Sequence, residues 1–188
     1  MRRALDLAAA AGFGALLAPF AAAATVALLV ERSGPVLRRS PRLGRDAVPF
    51  DLYTFRTMRA GHPTPVGRIL RRYSLDHVPM LVNVLRGDLA LVGPRPTEPD
   101  RVDLADPRWR AVLSVRPGLV SHAIVQLRSH YNATPPAERI ALELQYVGSA
   151  GIRSDLRLLR RAATAFVASG GNVKAPRNQP RPSGVQEV

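Results

Sequence analysis

The sequence predicts a mainly α-helical membrane protein with one small β-hairpin, a Pro-broken N-terminal helix and amphipathic helices at the interface. Three observations carry that expectation. Leu7 to Val30 is a run of 24 residues without a charge. Apolar residues recur at helical spacing through much of the remainder. One short segment, Val48 to Met58, holds Phe50, Leu52, Tyr53 and Phe55 and has the length of a strand or hairpin arm.

The apolar run comes first in the chain. A straight helix of that length rises about 36 Å, enough for a hydrocarbon core of about 30 Å. Arg2 and Arg3 precede it, and Arg32, Arg38, Arg39, Arg42 and Arg45 follow, so both flanks favour the cytoplasmic side. Pro19 removes one helical hydrogen bond and kinks the chain mid-run. A re-entrant helix broken at Ala18–Pro19 satisfies both flanks; a simple spanning helix satisfies the length equally well. A cleaved signal peptide, with Ala22–Ala24 as its cleavage site, fits least, because Pro19 interrupts its apolar core.

Residues 1–32 thus read as the membrane-inserted helix, 33–168 as one cytoplasmic or interfacial domain, and 169–188 as a disordered tail of Gly, Pro and polar residues. The 27 basic residues against 14 acidic ones give a formal charge of +13. Lys174 is the one lysine, so 27 − 1 leaves 26 arginines. Such a balance calls for an anionic partner: phosphate esters, acidic lipid or nucleic acid. Nucleic acid is the weakest of these, since the chain has no aromatic stacking pattern and no recognition helix. The absence of cysteine excludes disulfides, thiolate metal sites and a thiol nucleophile.

After a turn at Ser33-Gly34-Pro35 and the hairpin segment, Val66, Ile69, Leu70 and Tyr73 fall on one helical face with Arg68, Arg71 and Arg72 beside it. Val78, Leu81, Val82 and Leu85 continue the spacing to Gly87. Next to a membrane anchor this pattern suits a helix in the interface plane, and it suits an ordinary surface helix as well. Leu89 to Val92 is a short apolar run, and Gly93-Pro94-Arg95-Pro96 a rigid turn. Val112 to Val115 leads to Arg116-Pro117-Gly118, and helical spacing returns around Ile140, Leu144 and Val147 and from Leu156 to Val167.

Among the polar residues, Asp76 lies in Ser74-Leu75-Asp76-His77, where a helix is about to begin with Ser74 or a residue nearer Pro79 at its start. A carboxylate near free backbone N–H groups stays ionised, and an ionised carboxylate can attack phosphorus to form an acyl phosphate. Alone, an Asp at a helix start is most often a cap. Arg71 precedes it by five residues, within reach through a turn. Arg95, held between two prolines, suits bidentate phosphate recognition, although Pro-Arg-Pro alone is also a plain extended linker. Asp88 and Asp155 sit where caps are common.

In order and spacing these segments resemble the bacterial sugar transferase family, the small monotopic phosphoglycosyl transferases. The resemblance rests on Arg3-Ala4-Leu5-Asp6 before the Pro-broken run, Gly34-Pro35-Val36-Leu37, Arg42-Leu43-Gly44-Arg45-Asp46, Pro49-Phe50 and Tyr53-Thr54-Phe55-Arg56-Thr57-Met58. It continues through Arg71, Ser74-Leu75-Asp76, Asn83-Val84-Leu85-Arg86-Gly87-Asp88, Leu91-Val92-Gly93-Pro94-Arg95-Pro96, Arg116-Pro117-Gly118, Tyr146-Val147 and Ser154-Asp155-Leu156, over about residues 1–170. It implies transfer of a sugar phosphate from a UDP-sugar to a polyprenyl phosphate such as undecaprenyl phosphate, an early step of surface glycan or exopolysaccharide synthesis at the bacterial plasma membrane, with the active domain cytoplasmic. Asp76 matches the family's nucleophile and the first candidate to touch Mg²⁺. Arg56, Arg71, Asp88, Arg95, Arg116, Glu143 and Asp155 are the expected substrate- and phosphate-binding residues, and a homodimer is compatible with the pattern.

The sequence departs from the family where Glu follows the nucleophile. His77 stands there, and imidazole is a poor magnesium ligand. Two readings follow: an active enzyme with altered metal handling, in which a protonated His77 supplies part of the metal's charge, or a catalytically degenerate member that binds lipid phosphate or a partner. Glu143 also replaces the family's Asp before the Tyr-Val pair, Thr54 its basic residue, and Val120-Ser121-His122 its Thr-Gly-Trp.

Overall fold

A computed structural model describes residues 2–31 and 34–168 and is mainly helical. The tail expected over 169–188 lies outside the described residues. Helix α1 (Arg2–Val30) is one element with Pro19 inside it, rather than a pair of separate helices. A proline interior to a helix removes one backbone donor and leaves the turns on either side their own bonds. The apolar run also has two unlike sides. Ala10 and the half-buried Ala9 and Leu17 join the main core with Met80, Leu81 and Val84, while Ala24 and Leu28 join a second cluster with Phe55 and Leu70. Phe13, Leu16, Phe20, Val26 and Leu29 stay exposed.

Polar contacts fix both ends of α1 to the rest of the chain. At the start, Arg2 pairs with Asp155 (2.6 Å), and the Arg3 guanidinium donates to the Leu85 and Leu89 carbonyls. At the far end, the Val66 N–H donates to the Glu31 carboxylate at 3.0 Å.

The hairpin expected near residue 50 is present. Strand β1 (Leu37–Leu43) runs antiparallel to β2 (Pro49–Phe55), with Leu37 opposite Phe55 and Leu43 opposite Pro49. A tighter ribbon, β3 (Met58–Arg59) and β4 (His62–Pro63), precedes α2 (Pro65–Arg72). Thr64 caps α2 by accepting from the Gly67 N–H at 3.0 Å, and Pro65 takes the first helical position, where its missing N–H costs nothing.

The basic amphipathic stretch from Val66 to Leu85 is not one helix. Ser74 adopts a left-handed conformation (φ 55°), a single 3₁₀ turn follows over Leu75–His77, and α3 (Met80–Arg86) begins after Pro79 and ends at Gly87 (φ 102°). Ile69, Tyr73, Val82 and Leu85 remain exposed across this bent face.

Strand β5 (Ala90–Val92) pairs in parallel with β6 (Gly118–Val120), a contact no local pattern announces. Two glycines permit it. A Cβ on Gly93 would stand 2.5 Å from the Arg116 carbonyl oxygen, and one on Gly118 would collide with the Gly93 backbone. Helix α4 (Pro107–Leu113) occupies the crossover and contains part of the Val112–Val115 run. Helices α5 (His122–Leu127), α6 (Pro136–Ser149) and α7 (Ile152–Ala168) complete the described chain.

Candidate active site

Asp76 sits in the 3₁₀ turn between α2 and α3 and is buried to 7% exposure. Left-handed Ser74 makes the turn through its backbone, and its hydroxyl caps nothing, so the expected Ser74 side-chain cap is not formed. The turn packs against α2 and β2. Beside the carboxylate lies His77, with Nε2 3.8 Å from Oδ1 and its ring partly exposed. A recessed carboxylate has the chemistry of a nucleophile toward phosphorus, and an imidazole stands at its shoulder. Arg71, at the last turn of α2, directs Nη1 to the Met58 sulfur at 2.8 Å.

On α3, Asn83 is fully buried. Its Oδ1 accepts from the Tyr53 N–H (3.0 Å), and its Nδ2 donates to the Asp51 carbonyl (2.7 Å) and to the Asp88 carboxylate (3.0 Å). Its own carbonyl accepts from the N–H groups of Gly87, Asp88 and Leu89. One side chain therefore joins β2, α3 and the Gly87 turn. Asp88 holds that joint.

Arg95 and Glu143 meet elsewhere. The Arg95 backbone N–H donates to Glu143 Oε1 at 3.1 Å, and the Ser121 hydroxyl donates to the same oxygen. Burial pushes the Glu143 carboxyl above the usual carboxylate range, with Ser121 and the Arg95 N–H pulling the other way. Both residues border a cavity of about 470 Å³ whose walls also carry Arg42, Arg101, Arg139, Tyr131 and Trp109. Arg95 and Arg139 lie 4.9 and 5.1 Å from the Tyr131 ring centre. Glu98 pairs with Arg42 (2.6 Å) and Arg101 (2.8 Å). Burial and then the neighbouring charges of Arg95, Arg38 and Arg101 lower the Arg42 pKa.

The other expected residues are spread out. Asp155 accepts from Arg2 and from the Tyr146 hydroxyl (2.9 Å), and that hydroxyl also lies 3.0 Å from the Val92 carbonyl, so the group ties α1 to α6, α7 and β5. Arg56 packs by Gly34, where a Cβ would stand 3.5 Å from its Nη1. Arg116 contributes its carbonyl to the close approach at Gly93. The structure thus joins Asp76 with His77 and Arg95 with Glu143, and gives Asp88 and Asp155 to separate polar joints. Sequence reasoning missed Asn83, Arg42 and Arg139 as single residues; the first two lie inside segments that carry the family resemblance, and Arg139 has no local signal.

A magnesium ion would need oxygen ligands. Among the described residues no three His, Asp or Glu side chains gather into a metal-holding group, and a magnesium ion held by one or two carboxylates together with substrate phosphates does not need one.

The family model described as bacterial sugar transferase matches residues 1–169. The chain is 34% identical to the UDP-glucose:undecaprenyl-phosphate glucose-1-phosphate transferase of Caulobacter vibrioides, over 89% of this chain and 70% of that protein. It is 32% identical to the uncharacterized sugar transferase EpsL of Bacillus subtilis, over 78% of each. It is also 31% identical to the UDP-N-acetylgalactosamine-undecaprenyl-phosphate N-acetylgalactosaminephosphotransferase of Aeromonas hydrophila, over 76% of this chain and 37% of that protein. With matching sequence along nearly its whole described length, and its candidate nucleophile buried in a tight turn, this chain belongs to the bacterial sugar transferase family.

Proposed function

We propose that the protein is a phosphoglycosyl transferase that moves a sugar phosphate from a UDP-sugar to undecaprenyl phosphate, through a covalent intermediate on Asp76. The observation that carries the reading is the buried Asp76 in its Ser74-led turn, in a chain whose relatives are named for this transfer. In the first step an Asp76 oxygen forms a bond to the β-phosphorus, and the bond from that phosphorus to the bridging oxygen breaks. UMP leaves with the electron pair. In the second step an oxygen of the lipid phosphate attacks the same phosphorus, and Asp76 leaves as carboxylate. Two displacements at one phosphorus by anionic nucleophiles need nearby positive charge, and His77 stands where it can supply some of it.

The membrane arrangement suits this chemistry, because a water-soluble nucleotide sugar and a lipid phosphate meet only at an interface. Both ends of α1 rest on the same folded unit while its other side is apolar and exposed, which favours a helix entering and leaving one leaflet over one that crosses. In this reading the folded unit is cytoplasmic. The chain has no cysteine, so single cysteines at Met1 and at exposed Val48 report sidedness without background. Both should react with an impermeant maleimide only in inverted vesicles.

The reaction itself is tested with labelled UDP-sugars and undecaprenyl phosphate. Wild-type protein should release UMP and Asp76→Asn should not. No release from wild type together with release from His77→Glu would mark a decayed active site instead. Chelation by EDTA tests the metal: His77→Glu should lose a larger fraction of its rate than wild type.

A further inference from the structure

A second and much smaller recess, of about 90 Å³, lies where α5, α6 and α7 meet. Its wall is chemically one-sided. Buried Tyr146 and Leu158 and half-buried His122 line it together with exposed Arg157 and Arg161, and among the described residues no carboxylate does. The two arginines stand one helical turn apart on α7, which carries Arg153 and Arg160 as well and a single acid, Asp155. That acid is engaged by Arg2 and the Tyr146 hydroxyl. Arg157 and Arg161 enter no ion pair among the described residues. Like charges at this spacing cost a helix stability. The neutral donors around them are already used. Ser149 gives its proton to the Gln145 carbonyl (2.8 Å), Ser154 to the Gly151 carbonyl (2.7 Å), and the Tyr146 hydroxyl lies against Asp155 and the Val92 carbonyl. His122 Nδ1 lies 2.9 Å from the Leu142 carbonyl and carries its proton there, because a carbonyl only accepts, so Nε2 is the nitrogen left for a ligand. Every side-chain donor still open in the recess thus belongs to a guanidinium or to a protonated imidazole.

We propose that this recess is a binding site for a single phosphate group, held by Arg157, Arg161 and His122. Planar guanidinium forks match phosphate oxygens in pairs, and an imidazolium N–H supplies a further donor. The volume sets the upper limit on the ligand. Pockets for whole small molecules run to roughly 300–1,000 Å³, so about 90 Å³ takes the phosphate and leaves any nucleoside or sugar outside. Occupancy bridges α5 to α7 through the anion and relieves the repulsion between Arg157 and Arg161. The phosphate has two sources, the free ion and the monoester headgroup of an acidic phospholipid. Tyr146 lines the recess and accepts from Arg2 at the start of apolar α1, which keeps the second source within reach. The site goes beyond the reaction proposed for Asp76 and does not depend on it, since neither Asp76 and His77 nor the arginines of the larger cavity line this space.

The chain has no cysteine, so Ser149→Cys on the rim of the recess gives a single local reporter, and Ala163→Cys on another side of α7 gives its control. Full-length protein in phosphatidylcholine nanodiscs would be labelled with N-ethylmaleimide in rising inorganic phosphate, at constant pH and ionic strength. Labelling at 149 should slow saturably with phosphate and not with acetate, while labelling at 163 stays constant. Arg157→Gln and Arg161→Gln, each made in the Ser149→Cys chain, should weaken the protection by about tenfold, as expected for loss of a charged hydrogen bond. Both arginines are exposed, so neither change disturbs the core, and melting temperature on the same samples checks it. His122→Trp fills the recess and should abolish protection. Nanodiscs containing phosphatidic acid, without free phosphate, separate the sources: protection at 149 that Arg157→Gln removes supports a lipid headgroup as ligand, and protection by the free ion alone supports a soluble one. The proposal is overturned if neither source protects position 149 saturably, if position 163 is protected equally, or if both folded arginine variants keep wild-type protection.

Discussion

The Asp76 turn and the arginine cavity are built by opposite means. The turn is small and backbone-made: a left-handed Ser74, one 3₁₀ turn and a buried carboxylate. The cavity is wide and made of side chains, four of them arginines from β1, a proline-bounded turn, a 3₁₀ segment and α6. A reacting group has to be positioned tightly, so the chain spends backbone constraint there. A wall of several like charges can tolerate looser parts, because no one of them has to be placed as closely as a reacting group.

The comparison is broken most directly at the nucleophile. Asp76→Asn keeps the shape of the turn and removes the attacking anion, so UMP release should fall by about 10³-fold or more. Binding of the UDP-sugar, followed by equilibrium dialysis on the same samples, should stay near wild type. A variant that loses both in equal measure would show that the carboxylate holds the donor as well as attacking it.

The second test strikes the joint of β2 with α3. Asn83→Ala removes the side-chain hydrogen bonds that the fully buried Asn83 makes to the Tyr53 N–H, the Asp51 carbonyl and Asp88. A loss of about 2–4 kcal/mol in unfolding free energy is expected, since each orphaned buried group carries its own desolvation cost. Denaturant titration in detergent measures it. A loss under about 0.5 kcal/mol, the level of an ordinary surface change, would mean that packing alone holds β2 to α3.

The cavity is sharpened through Glu143. Burial raises its carboxyl pKa, so the folded chain holds that proton more tightly than the unfolded chain does. The contribution to stability is then full below the ordinary value of 4.5 and is lost as pH rises through the higher folded value. Glu143→Gln cannot ionise. Its melting temperature should therefore gain on wild type as pH climbs from about 4 toward neutral. A difference that stays flat over that range would show that the nearby arginines already cancel the cost of burial.

Much of this was open to sequence reasoning, and unevenly. The apolar run, the strand with Phe50 and Tyr53, and the helical spacing of Ile140 to Val147 appear in β2, α1 and α6, because local periodicity reports which side a segment buries. The division of residues 66–85 was hidden because Ser74 and Pro79 act through backbone angles, while the hydrophobic spacing runs straight across them. The β5–β6 pair was hidden for a different reason: each strand is three residues long and finds its partner some 28 residues away, through two glycines. Asp76 stood out through its neighbours in the chain. The cavity did not, because Arg42, Arg95 and Arg139 meet only after folding, and 26 arginines in one sequence give no way to tell those three from the rest.

The smallest effect comes from a polar group outside both regions. Arg2 donates to Asp155 at the start of α1, and the Tyr146 hydroxyl completes the contact from α6. Arg2 is 42% exposed, so solvent and salt screen the pair, and Arg2→Ala should cost no more than about 1 kcal/mol. Tyr146 is buried to 5%, and its hydroxyl lies within hydrogen-bond distance of the Val92 carbonyl as well as of Asp155. Tyr146→Phe should therefore cost more, about 1–2 kcal/mol, for leaving buried acceptors unmet. Neither change touches the Asp76 turn, so both variants should keep wild-type UMP release per folded molecule. If Arg2→Ala instead lowered turnover without lowering stability, the N-terminal end of the membrane helix would have to position the reacting turn, because α1 and α3 pack along each other and Arg3 already grips the last turn of α3.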